Sequence, residues 1–151
     1  MALLLGASIA IIFVSVIICI AVYVLMGISH MKVLNALGYD KAWMVWIPVI
    51  GIYYACADAA AQRKESVTLF GRIKIPAVVF KFWWVILLLE FVNPIAKLAK
   101  FLVLVGRVVL LGSAYASLYA RLEGKMDQDT QAIGLISGLV PIVAMVKFFM
   151  V

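Results

Sequence analysis

Residues 2–29 read ALLLGASIAIIFVSVIICIAVYVLMGIS, a stretch without one charged side chain. As a helix rising 1.5 Å per residue it is about 42 Å long, more than the roughly 30 Å hydrocarbon core of a bilayer. A secretory signal pairs a basic start with a shorter apolar core. The first Lys or Arg here is Lys32, so the stretch reads as a membrane helix that tilts or projects beyond the bilayer. Its helical pattern can run on through His30, Met31 and Lys32 to Leu37. Gly38 then supplies a stop, and Asp40 a cap for the next helix.

The rest of the chain has the same character. Of its 151 residues, 68% are hydrophobic and 13% charged. A water-soluble domain carries about 25% charged residues, so too few polar side chains are present to cover a water-facing surface. The expected fold is all-α: an integral membrane helical bundle, a single membrane-embedded domain over residues 1–151, multi-pass in the cell membrane. Four or five hydrophobic segments are expected. Those after the first lie at 42–61, 77–92, 97–119 and 130–151, and the connection 62–74 reads as a polar loop. Pro48 and Gly51 fall within one turn of the second segment. Proline removes a backbone donor and clashes with the preceding turn, so this segment is expected to be kinked or re-entrant. Trp43, Trp46 and the Phe82-Trp83-Trp84 cluster suit an interfacial aromatic belt.

The net charge is +6, from 13 basic and 7 acidic residues. The basic residues sit between apolar segments, which points to membrane lipids and not to nucleic acid. If all five segments cross, six basic residues face four. If the second returns to the side it entered from, Lys32, Lys41, Arg63, Lys64, Arg72, Lys74, Arg121 and Lys125 share one face, and only Lys97 and Lys100 oppose them. Positive charge collects on the cytoplasmic side, so the stronger bias favours four full spans with both termini outside.

The stretch Lys41-Ala42-Trp43-Met44-Val45-Trp46-Ile47-Pro48-Val49-Ile50-Gly51 resembles a motif of small bacterial multi-spanning membrane proteins of unknown function. Those proteins read Ala-Trp, two residues, Trp-Ile-Pro, two residues, then Asn. A Trp-rich segment, a Leu-Ala-Lys-like helix end and a closing Gly-Leu segment ending in Leu-Pro come after it. Phe82-Trp83-Trp84, the run from Tyr119 to Lys125, and Gly134-Leu135 with Leu139-Val140-Pro141 occupy similar places. The likeness covers residues 41–145 and departs at Gly51, where the family has Asn. It implies a helical membrane fold and no particular activity.

An ionisable group in hydrocarbon costs at least about 2.5–3.5 kcal/mol on insertion scales, so each one inside a segment marks a candidate site. Arg107 keeps its proton and needs a carboxylate, carbonyls or water. Asp58 and Glu90 are the carboxylates within apolar segments. These three form the candidate intramembrane polar site. It reads either as a polar pathway or ligand site, or as a structural ion pair, with Arg107 reaching a headgroup as the third outcome. Lys81 and Lys147 lie near segment ends and are expected to snorkel.

His30 lacks Asp, Glu or Cys at ligand spacing, which suits an interfacial polar residue better than a metal ligand. Cys19 and Cys56 read as small buried hydrophobes. No catalytic motif, metal site or cofactor site is evident. Gly134 and Gly138 form a GxxxG pair, and Gly112 with Ala116, like Gly6 with Ala10, a weaker one. Such pairs let helix backbones approach closely, here most simply within one chain.

The expected function is therefore non-enzymatic: a structural or accessory subunit packed against copies of itself or another membrane protein. The alternative is a channel, transporter or membrane-permeabilising oligomer for ions or small solutes. A lipid-acting enzyme using Asp58, Glu90 and His30 is the third class considered.

Overall fold

The computed structural model describes residues 2–69, 73–91 and 96–151; the side chains at 2–7, 89–91, 96 and 99 lie outside that description. The chain is mostly helical. Helix α1 runs unbroken over Ala2–Ala36. It stops at Gly38 (φ 70°). There the Gly38 N–H donates to Asn35 O and the Tyr39 N–H to Leu34 O, the two bonds of a Schellman cap. Asp40 does not cap the next helix: Lys41 precedes the 3-10 helix Ala42–Trp46, without a side-chain cap bond. The outer half of α1 stands clear of the rest. Every residue from Ser8 to Ala21 is exposed, and burial begins at Gly27.

The second segment is broken, as Pro48 requires. The 3-10 helix ends at Ile47 in extended conformation, the geometry favoured before proline. Helix α2 then runs over Gly51–Ala60. Gly51 lies directly against Met44 O, so a Cβ there would overlap that carbonyl; neither Asn nor any other side chain fits at this bend. The rising arm is pinned to α1. Tyr23 Oη donates to Trp46 O (2.6 Å), and the Trp46 ring covers Gly27, where a Cβ would come within 2.6 Å of it.

The connection after α2 is not a plain loop. Strands β1 (Ser66–Leu69) and β2 (Ile73–Pro76) pair antiparallel, Ser66 opposite Pro76 and Leu69 opposite Ile73. Along β1 the residues alternate outward and inward, burying Val67 and Leu69, a period-2 pattern that fits a strand. This hairpin adds a short two-stranded element to a chain that is mostly helical, as expected. The third segment is α3 (Ala77–Lys81) followed by a 3-10 helix, Trp83–Phe91. The fourth is one rod made of α4 (Ala96–Gly106), a π-helical turn (Arg107–Leu111) and α5 (Gly112–Glu123).

The fifth segment is also broken. Helix α6 (Gln128–Leu139) starts at Asp127, whose side chain accepts from Thr130 N–H. Val140 leaves the helix at φ −124°, ψ 90°, and Pro141 opens α7 (Pro141–Met150), where its missing N–H costs nothing. Among the described residues, two helices are long and apolar enough to cross a membrane, Ser8–Ala36 and Lys100–Glu123.

Both broken segments double back, and the end of α5 holds each one. Arg121 donates through Nη1 to Ala59 O (2.9 Å) and through Nη2 to Leu37 O (3.1 Å). The end of α1, just ahead of the second segment, and the finish of that segment thus meet at one guanidinium. Glu123 accepts from Thr130 Oγ1 at the start of α6 (3.3 Å) and from Lys147 Nζ near the end of α7 (2.6 Å). The fifth segment therefore returns to the end of the molecule where it began. Replacing Arg121 by Met removes two charge-assisted bonds at a partly exposed place. Stability is expected to fall by about 2 kcal/mol, with Lys recovering part of it, read as a lower midpoint in detergent.

Candidate functional site

Helix α2 is built of small residues, and Ala55, Cys56, Ala57, Ala59 and Ala60 are all buried. Lacking bulk, α2 sinks into the bundle and carries Asp58 with it, 8% exposed. Two elements supply its partners. Tyr39, just past the α1 cap, donates its hydroxyl to Asp58 Oδ2 at 2.6 Å. Lys81, closing α3, places Nζ 2.6 Å from Oδ1. Burial alone would raise the Asp58 pKa. The bonds from Lys81 and Tyr39, with the charges of Lys81 and Lys41, outweigh it and hold the carboxyl below its ordinary 3.8. Burial, then the bond to Asp58, pushes the Tyr39 phenol up.

This centre differs from the site expected from sequence. Of the expected trio, Asp58 meets Lys81 and Tyr39 instead of Arg107. The side chain of Glu90 lies outside the described residues. Arg107 opens the π-helical turn; its Nε is buried without a hydrogen-bond partner among the described residues. The indole N–H groups of Trp83 and Trp84 share that condition. Lys81 and Lys147 do not snorkel freely, since Asp58 and Glu123 hold them. Both carboxylates lie far off in sequence, and only their shared need for a countercharge hinted at the pairing.

His30 is also placed differently. It is fully buried, where Nδ1 faces Met26 O at 2.7 Å and Nε2 faces the Tyr115 hydroxyl at 2.9 Å. A carbonyl only accepts, so Nδ1 carries the hydrogen and Nε2 accepts from Tyr115. Phe148 of α7 stands edge-on to the imidazole, with centroids 4.9 Å apart. The Tyr119 hydroxyl bonds to Ser137 Oγ (2.8 Å). This layer joins α1, α5, α6 and α7. Cys56 is buried as expected, whereas Cys19 is exposed on the free half of α1.

The small residues meet across α5 and α6. A Cβ on Gly134 would lie 2.5 Å from Ala116 Cβ, and one on Gly138 would lie 2.7 Å from both Arg107 O and Gly112 N. The two small-residue pairs face one another, and the crossing sits beside the π-helical turn.

Compared with family models, curated proteins and solved structures, the chain matches none.

Proposed function

We propose that the protein is a non-enzymatic, multi-pass cell-membrane protein, a structural or accessory subunit of an assembly of its own copies or with another membrane protein. The observation that carries this reading is the free half of α1. Its most apolar 18-residue window has no buried residue, and Ile9, Ile11, Ile12, Phe13 and Ile17 are all more than half exposed. Such a surface is stable only in lipid or against another apolar helix. The polar groups of the body, by contrast, largely satisfy each other. Ser29 adjoins His30 (3.2 Å), but the ring nitrogen facing it carries hydrogen and cannot take its proton, so this pair has no activated nucleophile.

In this reading α1 crosses inward, residues 77–91 return outward and the α4–α5 rod crosses inward again. The two proline-broken hairpins enter from the inner side and return to it. The N-terminus is outside and the C-terminus inside, which moves the C-terminus from the side that charge counting favoured. Lys147 then joins the basic residues of the inner face, in keeping with the positive-inside rule. A fluorescent protein fused after Val151 is expected to fluoresce, and alkaline phosphatase fused at the same point to be inactive. The reverse pattern would mean that α6 and α7 cross.

The assembly itself is tested by native mass spectrometry from nanodiscs, together with oxidative crosslinking through Cys19. A homo-oligomer or a defined complex with a second membrane protein supports the subunit reading. A monomer that stays alone, with Cys19 uncrosslinked in native membranes, overturns it.

One observation favours the alternative, a channel or transporter: the buried Arg107 Nε without an acceptor beside a π-helical turn, a feature that recurs at functional sites. If that reading holds, Arg107→Gln abolishes ion flux into reconstituted liposomes; absence of flux in the unmodified protein excludes it.

A further inference from the structure

Arg107 opens the π-helical turn of the α4–α5 rod. Val103, Arg107, Leu111 and Tyr115 follow one another at four-residue steps. An α-helix advances about 100° per residue, so three such steps drift by about 120° in all. A π turn takes in about one residue more and withdraws most of that drift. Val103, Leu111 and Tyr115 are all buried, as a single inward stripe requires, and Arg107 falls within it. The turn is held from two sides. Ser113 Oγ donates to Val109 O at 2.6 Å. The Gly112 N–H donates to Arg107 O, five residues back, which is the bond of a π turn. Helix α6 lies directly on this pair, since a Cβ on Gly138 would come within 2.7 Å of both atoms. Packing therefore commits a permanent cation to a mostly apolar stripe.

No described carboxylate compensates that charge. Asp58 is taken by Lys81 and Tyr39, and Glu123 by Lys147 and Thr130. Among the described residues Arg107 has no ion pair, and its Nε is buried without an acceptor. A guanidinium keeps its proton, so it cannot escape the cost by becoming neutral, and an unpaired charge drawn out of water is strongly unfavourable. The residue as a whole stays partly exposed. The stem is sunk, and the two terminal nitrogens are the open end. They present two parallel N–H donors, a spacing that two oxygens of one oxyanion match and a halide does not.

We infer that Arg107 binds an oxyanion, a phosphate or carboxylate group, taken end-on by the terminal fork of its guanidinium. The group belongs to a soluble anion or to a lipid headgroup, since both offer the same pair of oxygens. The site needs neither assembly nor flux, so it stands apart from the subunit and channel readings.

The test melts the full chain in a neutral detergent at constant ionic strength, with chloride replaced stepwise by inorganic phosphate or by acetate. The parent midpoint is expected to rise saturably, by about 4 °C at tenfold excess over the dissociation constant. Phosphate also stabilises proteins generally, by exclusion from their surface. The signal is therefore the excess over Arg107→Gln, which is expected to show only the gradual general rise. Arg107→Lys keeps the charge without the fork and is expected to lose most of the excess. In chloride alone, Arg107→Gln is expected to melt no lower than the parent, because it removes an uncompensated cation.

Phosphatidic acid added to the micelles separates the two sources. An Arg107-dependent rise with this lipid, and none with phosphate or acetate, assigns the oxyanion to a headgroup; the converse assigns it to a soluble anion. Parallel responses of the parent and Arg107→Gln to all three compounds overturn the inference. So does an Arg107→Gln protein that melts lower in chloride or fails to fold, because Arg107 then has its partner within the chain, and Glu90→Gln would identify it.

Discussion

Gly138→Ala is expected to destabilise the folded bundle more than a methyl added at Gly112 or Gly106. The added methyl would sit 2.7 Å from Arg107 O and Gly112 N and 2.8 Å from Gly112 Cα. All three are backbone atoms, so no side-chain rotation relieves the overlap, and α5 and α6 must separate. Overpacking typically costs about 1–3 kcal/mol, and a clash between two backbones belongs at or above the upper end. That is a large share of the roughly 5–15 kcal/mol that holds a domain together. Gly134→Ala is expected to behave alike, with its Cβ 2.7 Å from Ala116 N and Cα. Gly112→Ala has slightly more room, at 3.0 Å from Leu135 Cα, and Gly106→Ala meets only ordinary contacts from 3.6 Å. The expected order of damage is Gly138 and Gly134, then Gly112, then Gly106. Size-exclusion profiles after graded heating in detergent give that order directly. A Gly138→Ala protein as heat-resistant as the parent would mean that α5 and α6 do not cross at these residues.

Asp58→Ala is the second large effect. It removes at once the acceptor of the Lys81 ammonium and of the Tyr39 hydroxyl. Tyr39 is 5% exposed, so its hydroxyl is left without a partner, and Lys81 keeps a charge on a mostly covered side chain. Removing one member of a fully buried pair costs about 3–5 kcal/mol, and the partial exposure of Lys81 lowers the expectation to about 3 kcal/mol. Asp58→Leu combined with Lys81→Met is expected to recover most of the loss, because an apolar pair needs no countercharge. The pH dependence comes from the sign of the shift. The folded carboxyl titrates below its ordinary 3.8. Its stabilisation is therefore complete above that value and disappears as pH falls through the lower folded pKa. Between neutral pH and mild acid the parent and the double variant should lose stability in parallel; in stronger acid only the parent should lose this extra term. Equal acid sensitivity of the two proteins would show that Asp58 is not the group responsible.

Several features are legible in the residues themselves because they are local. An uncharged run long enough for a bilayer makes α1 helical and apolar, and Gly38 ends it because a left-handed residue suits the cap. Pro48 and Pro141 break their segments wherever the rest of the chain goes, since each lacks a donor. The spacing of Gly134 with Gly138 and of Gly112 with Ala116 marks which faces can approach closely.

Tertiary structure decided what the broken halves do next and which charges meet. A proline fixes where a helix stops, not whether its continuation runs on or folds back. The answer came from Arg121 reaching residues 62 and 84 positions away, and from Glu123 holding Lys147 across 24. Asp58, likewise, could have answered several cations by type. Packing of α3 against α2 chose Lys81 and left the Arg107 Nε without an acceptor among the described residues. His30 looked interfacial because it comes after an apolar run, yet the carbonyl of Met26 and the hydroxyl of Tyr115 satisfy it inside the core. Helix periodicity and chain breaks depend on neighbours in sequence. Countercharges and buried hydrogen bonds depend on neighbours in space, and only the folded chain assigns them.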